Sequence, residues 1–371
     1  MWKEITREEI SRVLTEFGLT FDDFTVSVFS SGHINMTYRI DISKDGALDS
    51  FVLQCINTYV FRSPELMMNN IGRVTEHMVN KIVSLGGNPF RRVLHFLKNA
   101  NGKNYVYGEE GHFWRCYDLV DGARTYDTAE DPAVLESAGR AFGNFQKLLA
   151  DFPMDTLVDT IPNFHNTKRR LKSFFAMVDE DPCGRAHECR EEIEFFRERR
   201  KISGSLITQQ EKGILPLRVT HNDTKYNNIL IDDETQEAIC VLDLDTVMPG
   251  LAAYDFGDAI RFAACTAAED EKDLSLVKLD PVRYEAFTRG FIGGADGFFT
   301  EAEIESMAWG ARNITTELAA RFLEDYLCGD KYFKTHRKGH NLDRARAQIQ
   351  LVRDMEEKFD FMVETVHKYA K

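Results

Sequence analysis

The stretch His221-Asn222-Asp223-Thr224-Lys225-Tyr226-Asn227-Asn228-Ile229-Leu230 decides the reading of this chain. It sets a His, then an Asp two places on, a Lys four on and an Asn seven on. In catalytic loops with this spacing the Asp accepts the proton of an attacking hydroxyl, and the Asn holds a magnesium ion against nucleotide phosphates. Asp223 and Asn228 fit those roles, and Lys225 stands where a cation can follow a transferring phosphoryl group. His221 reads as a buried scaffold for the loop backbone rather than as a proton carrier.

Two short apolar runs follow, Ile229-Leu230-Ile231 and Ala238-Ile239-Cys240-Val241-Leu242, separated by the polar turn Asp232-Asp233-Glu234-Thr235-Gln236-Glu237. The pattern is that of a hairpin. Its return is expected to bring Asp243 beside Asn228, one carboxylate and one amide for a hard, oxygen-seeking cation. Asp245 is a secondary candidate in the same run. Asp255-Phe256-Gly257 spells the metal motif of protein kinases literally, but it lies past the break Met248-Pro249-Gly250. Asp255 is expected instead to open a helix over 256–264 and to accept hydrogen bonds from amides of the catalytic loop.

Upstream, an amphipathic helix ends near Gly18, and strands are expected over 24–29, 36–42 and 51–56. Pro64 starts a helix that Gly86-Gly87 stops. Residues 93–97 are expected to pair with 104–107 across Asn101-Gly102, and a strand over 113–120 ends at Asp121-Gly122. From Asp131 the periodicity is nearly all helical, over 132–149, 166–178, 185–202, 301–328 and 342–370. The expected fold is therefore α+β and bilobal, of the protein-kinase-like kind. A small antiparallel-sheet lobe with one inserted helix spans 1–120 and binds nucleotide; a larger, mainly helical lobe spans 121–371 and carries the catalytic loop and the acceptor site.

The turn Ser30-Ser31-Gly32-His33-Ile34-Asn35 is expected to cover the phosphates, with Ser31, Asn35 and the amides around Gly32 as donors. In the third strand Gln54 stands where kinases place a phosphate-gripping Lys. A Gln donates hydrogen bonds but brings no charge, which leaves neutralisation to magnesium and the Gly32 loop, and leaves Glu76 without its usual partner. No G-x-x-x-x-G-K-[ST] occurs, which excludes a P-loop enzyme.

The net charge of −14 over 371 residues has the wrong sign for a phosphate-backbone binder and argues against nucleic acid. No stretch approaches the ~18 apolar residues of a membrane span, and residues 1–9 have no apolar signal core, so a cytoplasmic protein without a membrane partner is expected. The seven cysteines include no C-x-x-C pair, as in reduced cytosolic proteins. Cys183, His187 and Cys189 lack the second ligand pair of a zinc site.

The motifs His221-Asn222-Asp223-Thr224-Lys225, Val241-Leu242-Asp243-Leu244-Asp245-Thr246-Val247-Met248-Pro249-Gly250 and Tyr254-Asp255-Phe256-Gly257-Asp258 resemble the aminoglycoside phosphotransferase and choline kinase superfamily. So does the late stretch with Arg321-Phe322-Leu323, Gly329-Asp330-Lys331-Tyr332-Phe333 and Gly339-His340-Asn341-Leu342-Asp343-Arg344. Within that superfamily the chain is most similar to bacterial N-acetylhexosamine 1-kinases. The resemblance implies ATP- and magnesium-dependent transfer to the anomeric hydroxyl of N-acetylglucosamine or N-acetylgalactosamine, with Asp223 as base and a small-molecule sugar as the partner. Sugar sites pair aromatic faces with planar hydrogen-bonding groups, which makes Arg115, Arg124, Tyr126, Arg312, Arg321 and Tyr332 the acceptor candidates. Leu119 and Val120, at the expected hinge, offer backbone groups to adenine. The nearest rival is a kinase for an amino alcohol or aminoglycoside, for which Glu317, Glu324 and Asp325 supply carboxylates. A nucleotide-binding pseudokinase is the reading outside enzymology, and it is opposed by the presence of Asp223, Asn228 and Asp243.

Overall fold

The computed structural model describes residues 5–29, 34–126, 128 and 131–371. The chain forms two compact units, one of residues 1–123, 155–161 and 240–248, the other of 124–154, 162–239 and 249–371. Ser31 and Gly32, expected over the phosphates, lie outside the described residues.

The first unit begins with α1 (Arg7–Glu16), whose Thr6 hydroxyl accepts from the Glu9 amide at 3.1 Å, an N-cap that satisfies an otherwise orphaned donor. Strands β1 (Asp23–Val28), β2 (Met36–Lys44) and β3 (Ala47–Cys55) follow. The β2–β3 turn is the pair Asp45-Gly46, with φ of 51° and 79°, the two-residue hairpin geometry that suits strand twist. Because Lys44 pairs directly with Ala47, β3 starts earlier than its apolar run suggests. Next come α2 (Pro64–Ser84), β4 (Val106–Tyr107) and β5 (Phe113–Asp118). The antiparallel sheet runs β1-β2-β3-β5-β4.

The expected pairing of 93–97 with 104–107 does not form. Both flanks pair with β5 instead: Phe96 bridges to Tyr117, Leu97 donates its amide to Cys116 at 2.9 Å, and Val106 faces Trp114. The Asn99 carboxamide oxygen accepts from the amides of Asn101 and Lys103, so the segment between the flanks curls into a loop. One face of the sheet buries Tyr38, Ile40, Leu53 and Cys116 against Ile10, Val13 and Leu14 of α1 and Phe17 just past its end. At that contact the buried Glu9 carboxylate accepts from the Glu109 amide, His112 Nδ1 and Trp114 Nε1, the hydrogen-bonding a buried carboxylate requires.

After β6 (Ala123–Arg124) the second unit is mostly helical: α3 (Pro132–Leu148), α4 (Thr167–Glu180), α5 (Arg190–Ser203) and α6 (Ser205–Glu211). Short strands β7 (Arg218–Thr220), β8 (Ile229–Asp232), β9 (Ala238–Val241) and β10 (Met248–Gly250) frame the catalytic-loop sequence, β8 beside β9 and β7 beside β10. Then come α7 (Ala252–Ala263), α8 (Pro281–Ala295), α9 (Glu301–Leu327), α10 (His340–Glu357) and α11 (Phe359–Tyr369). The single helix expected over 342–370 is thus two, divided at Lys358, whose ammonium donates to the Leu279 carbonyl at 2.9 Å. Helix α7 starts before Asp255, so Asp255 sits inside its first turn and is not its cap.

Helices α7 and α9 cross so closely that a Cβ on Gly310 would collide with the Ala253 carbonyl, and one on Gly257 with the backbone of Gly310 and Ala311. That approach brings α7, with Asp255 and Asp258, against the buried α9. The α+β class, antiparallel sheet first and helices after, is the one expected. No described helix is long and apolar enough to cross a membrane.

Candidate active site

Strand β7 delivers the chain into His221 and Asn222, and Asn222 takes a left-handed φ of 64°. Such a turn in a non-glycine residue needs outside support. Asp255 supplies it: its carboxylate accepts from the His221 amide at 2.8 Å, the Asn222 amide at 2.7 Å and the Gln146 side chain at 2.6 Å. Burial pushes the Asp255 carboxyl up while His221 and these donors oppose it. Fully engaged and only 1 % exposed, Asp255 holds the loop as expected. The His221 ring stands edge-on to Phe142 and Phe145 of α3, and its Nδ1 accepts from the Asp223 amide at 3.3 Å. From the far side, His165 Nε2 donates to the Asn222 carbonyl at 2.8 Å.

These contacts fix the backbone leading into Asp223, and on its other side the Thr224 hydroxyl donates to the Asp255 carbonyl. Its carboxylate meets Lys225 Nζ at 2.9 Å. Burial disfavours its charge, but Lys225, with His221 and Arg261 behind it, outweighs burial and holds Asp223 below the usual carboxylate range. Lys225 is in turn raised, burial being overcome by Asp223 and Asp258. Asp258 and Arg261 form a buried pair at 2.8 Å on α7, a second charge layer that the sequence reading missed although both lie within one helical turn. The Asn228 amide nitrogen donates to the Asp223 carbonyl at 2.8 Å and to its carboxylate at 3.2 Å. That orientation turns the amide nitrogen towards Asp223 and leaves the amide oxygen, the kind of atom a hard cation takes, without that engagement. Among the described residues no cluster of three or more His, Cys, Asp and Glu forms a metal site.

In the first unit, Gln54 and Arg115 are cross-strand partners on β3 and β5. Gln54 accepts from Arg115 Nε at 2.8 Å and donates to the Thr37 hydroxyl at 2.9 Å. Arg115, 2 % exposed, pairs with Asp245 through Nη1. The other Asp245 oxygen accepts from Asn35 Nδ2 at 2.7 Å, and Asn35 Oδ1 accepts from the Asn57 amide at 3.0 Å. Thus Asn35 and Gln54 fall into one network with Arg115, which is buried here with its guanidinium 5.8 Å from the Phe96 ring centre and is not the open acceptor contact expected. Asp245 is committed to Arg115 and Asn35. Asp243 itself takes a left-handed φ of 54°. The Leu119 amide donates to the Ser50 carbonyl at 3.1 Å and is not free for a ligand; Val120 is half-buried beside it.

The acceptor candidates separate. Arg124 is exposed and pairs with Asp233 at 2.6 Å, while Tyr126 is half-buried. Arg312 is buried against Glu356, its Nε 2.8 Å from the carboxylate, two and a half helical turns before Arg321. Arg321 and Tyr332 do come together: the guanidinium lies within 5.4–5.9 Å of the Phe164, Tyr332 and Phe333 ring centres. It makes no hydrogen bond among the described residues. One turn back, the Glu317 carboxylate is buried with both oxygens lacking a hydrogen-bond partner, 3.5 Å from His165 Nδ1. Burial raises Glu317, but His165, Arg321 and Arg170 overcome it and hold it ionised below the usual range. Its 152-residue separation from His165 leaves no local signal by which sequence reading could find the pair.

Comparison with known proteins bears on the fold and the family. The chain shares its fold with a microcompartment-associated aminopropanol kinase, at 14% identity and a TM-score of 0.58 over 95% of this chain and 97% of that one. It is similar to a Plasmodium vivax ethanolamine kinase at 13% identity, TM-score 0.55, over 88% and 82% of the two chains. A spectinomycin phosphotransferase, solved with ADP and spectinomycin, matches at 13% identity and TM-score 0.53 over 99% of each chain. The model of the phosphotransferase enzyme family matches residues 25–278, a span that takes in the sheet, the catalytic loop, its hairpin and α7. The chain belongs to the phosphotransferase enzyme family.

Proposed function

We propose that this phosphotransferase is an ATP-dependent kinase that phosphorylates the anomeric hydroxyl of N-acetylglucosamine or N-acetylgalactosamine to the sugar 1-phosphate. The observation that carries the acceptor class is the state of the carboxylates around Arg321. Glu317 is offset by His165, Arg170 and Arg321. Glu324 accepts from the Ser173 hydroxyl at 2.8 Å and faces Arg170 at 3.7 Å. Asp325 is spent on the amides of Lys331, Tyr332 and Phe333 and on Asn341. A cationic amine entering here meets acids that are already neutralised or capped. A neutral polyol with an acetamido group meets a guanidinium that makes no hydrogen bond among the described residues and the aromatic faces around it, the mixture that planar and apolar sugar faces need.

In this reading Asp223 accepts the proton of the anomeric hydroxyl. That hydroxyl is more acidic than an ordinary alcohol, so an ionised carboxylate held by the loop suffices and positioning supplies most of the rate. Lys225 balances the Asp223 charge and faces the phosphoryl group in transfer. Magnesium, when bound, neutralises the nucleotide phosphates; Asn228 through its amide oxygen and Asp243 through its carboxylate are its proposed protein ligands. Ser31 and Gly32 are proposed to cover the phosphates, and the backbone at Val120 to meet the base.

The experiment is an ADP-release assay with magnesium-ATP on a panel of N-acetylglucosamine, N-acetylgalactosamine, plain hexoses, choline, homoserine and kanamycin, with phosphorus NMR to locate the phosphate. Turnover of an N-acetylhexosamine at the anomeric carbon, lost in Asp223→Asn, is the expected result. Turnover confined to choline or kanamycin overturns the acceptor assignment and leaves an amine kinase. Silence on every acceptor despite ADP binding points to a nucleotide-binding scaffold.

A further inference from the structure

The third strand of this chain lacks the cation that kinases place there, because position 54 is Gln and not Lys. Kinases pair that Lys with a helix Glu, and the pair must be in place for activity. Here Glu76, on α2, is exposed and has no such partner. Yet a charge pair does exist one strand over. Arg115 is the cross-strand neighbour of Gln54, grips its side-chain oxygen at 2.8 Å, and pairs, buried, with Asp245. Asp245 is two residues after the proposed metal ligand Asp243, and Val247, two residues further, gives its carbonyl to Asn70 of α2 at 3.1 Å. The run 243–247 is therefore pinned to β5 at one point and to α2 at another. Asn35 adds a third fastening through the second Asp245 oxygen.

We infer that the Arg115–Asp245 pair performs in this chain the duty of the absent Lys–Glu pair: it is the lock that sets the metal loop, with Asp245 as a positioning residue and not a metal ligand. Three observations converge on it. Both Asp245 oxygens are taken by protein donors. The guanidinium is held on two sides, by Gln54 and by Asp245, so it cannot swing away without leaving a buried charge unpaired, a strongly unfavourable outcome. And Asn70 of α2 holds the Val247 carbonyl at 3.1 Å, so the run is fastened beyond Asp245 as well as at it. Gln54, read from sequence as a weak phosphate contact, becomes the clamp that orients Arg115.

The inference rests on the nucleotide and magnesium reading proposed above, and the test separates the two. Manganese binding to the full chain with ADP is followed by electron paramagnetic resonance, beside thermal melting, for Arg115→Gln, Asp245→Asn and the double variant. Each single variant is expected to weaken manganese binding about 10–100-fold, as loss of an outer-shell partner does, with the KM for the acceptor changed less than about twofold. The double variant, whose two amides can pair, is expected to recover most of the binding. A double variant no better than Asp245→Asn makes Asp245 a direct ligand and overturns the lock; so does unaltered binding in all three. Should the single variants melt too low to assay, Arg115→Lys serves, keeping the charge but losing the Gln54 clamp; an about threefold weaker manganese affinity is expected, and affinity equal to that of the unaltered chain sinks the idea. If the unaltered chain itself binds no manganese-ADP, the kinase reading fails first.

Discussion

Glu317 lies 3.5 Å from His165, and His165 hands its other ring nitrogen to the carbonyl of Asn222, the residue immediately before the proposed base. A carboxylate at the proposed acceptor site is thereby linked to the backbone that aims Asp223. Burial lowers His165, but Glu317 and the Asn222 carbonyl outweigh it and raise the imidazole above its ordinary value. A raised group stabilises the fold fully below its unfolded value, about 6.5, and loses that contribution as pH rises through the folded value. The melting temperature is therefore expected to decline on the alkaline side of neutrality. Glu317→Gln is expected to flatten that decline, measured by calorimetry across about pH 6 to 9. An unchanged slope would mean that the pair carries no titrating stability.

Asp223→Asn is expected to fold and to bind ADP as the unaltered chain does, while turnover falls about 10²–10⁴-fold, the range for removal of a general base. Because Lys225 holds Asp223 below the usual carboxylate range, its protonation is not expected to limit the rate between about pH 6 and 8. A rate profile rising through neutrality would assign the base elsewhere.

Asp255→Asn places an amide nitrogen where three donors converge. At least one backbone amide is left unsatisfied in a buried site, a cost of about 1–3 kcal/mol, read as a lower denaturation midpoint with unchanged slope. Turnover is expected to fall beyond what stability explains, since the Asn222 turn loses its support.

Gly310→Ala forces a methyl group into the Ala253 carbonyl. Overpacking of this kind costs about 1–3 kcal/mol. Its mark at the site is a smaller kcat with a nearly constant KM for ATP, because α7 is displaced together with Asp255 and Asp258. Equal stability and kinetics would show that the two helices separate without cost.

Arg321→Lys keeps the charge but loses the planar fork and its stacking. The KM for the sugar is expected to rise about tenfold with the KM for ATP unchanged, the consequence of exchanging a guanidinium for an ammonium at a stacked site. Parallel rises in both constants would remove Arg321 from the acceptor site.

The loop from His221 to Asn228 was legible as a unit because its marking residues are packed into eight positions of fixed spacing, and the Asp255 bonds expected to hold it are present; the catalytic roles read from that spacing belong to the proposal. The hairpin after it was legible because polar and apolar runs alternate cleanly. Asp255 was half legible: its bonds to the loop amides were anticipated, whereas its place inside α7 was not, since Leu251 and Ala252 carry no start signal. The break at Lys358 was invisible for the same reason, with neither Gly nor Pro to mark it. The pairing of 93–97 with 104–107 failed because both flanks found a better partner in β5, which lies further along the chain. Arg115, read as an acceptor contact, shows the general limit. Its partner Asp245 is 130 residues away, and no local pattern reports on which buried charge will meet which.

The sheet unit is assembled from three separate stretches, and the last of them, 240–248, contains Asp245. On a ribosome, Arg115 is therefore made long before its counter-ion. At about 5–20 residues per second, the 130 residues between them take on the order of ten seconds to synthesise. Throughout that interval the nascent sheet holds a guanidinium with nowhere to discharge, and burying it early is unfavourable. The unit that comes first in the sequence is thus finished only after the catalytic loop has been translated, and a fragment ending at residue 123 is expected to remain an unfinished fold and not a nucleotide-binding module of its own.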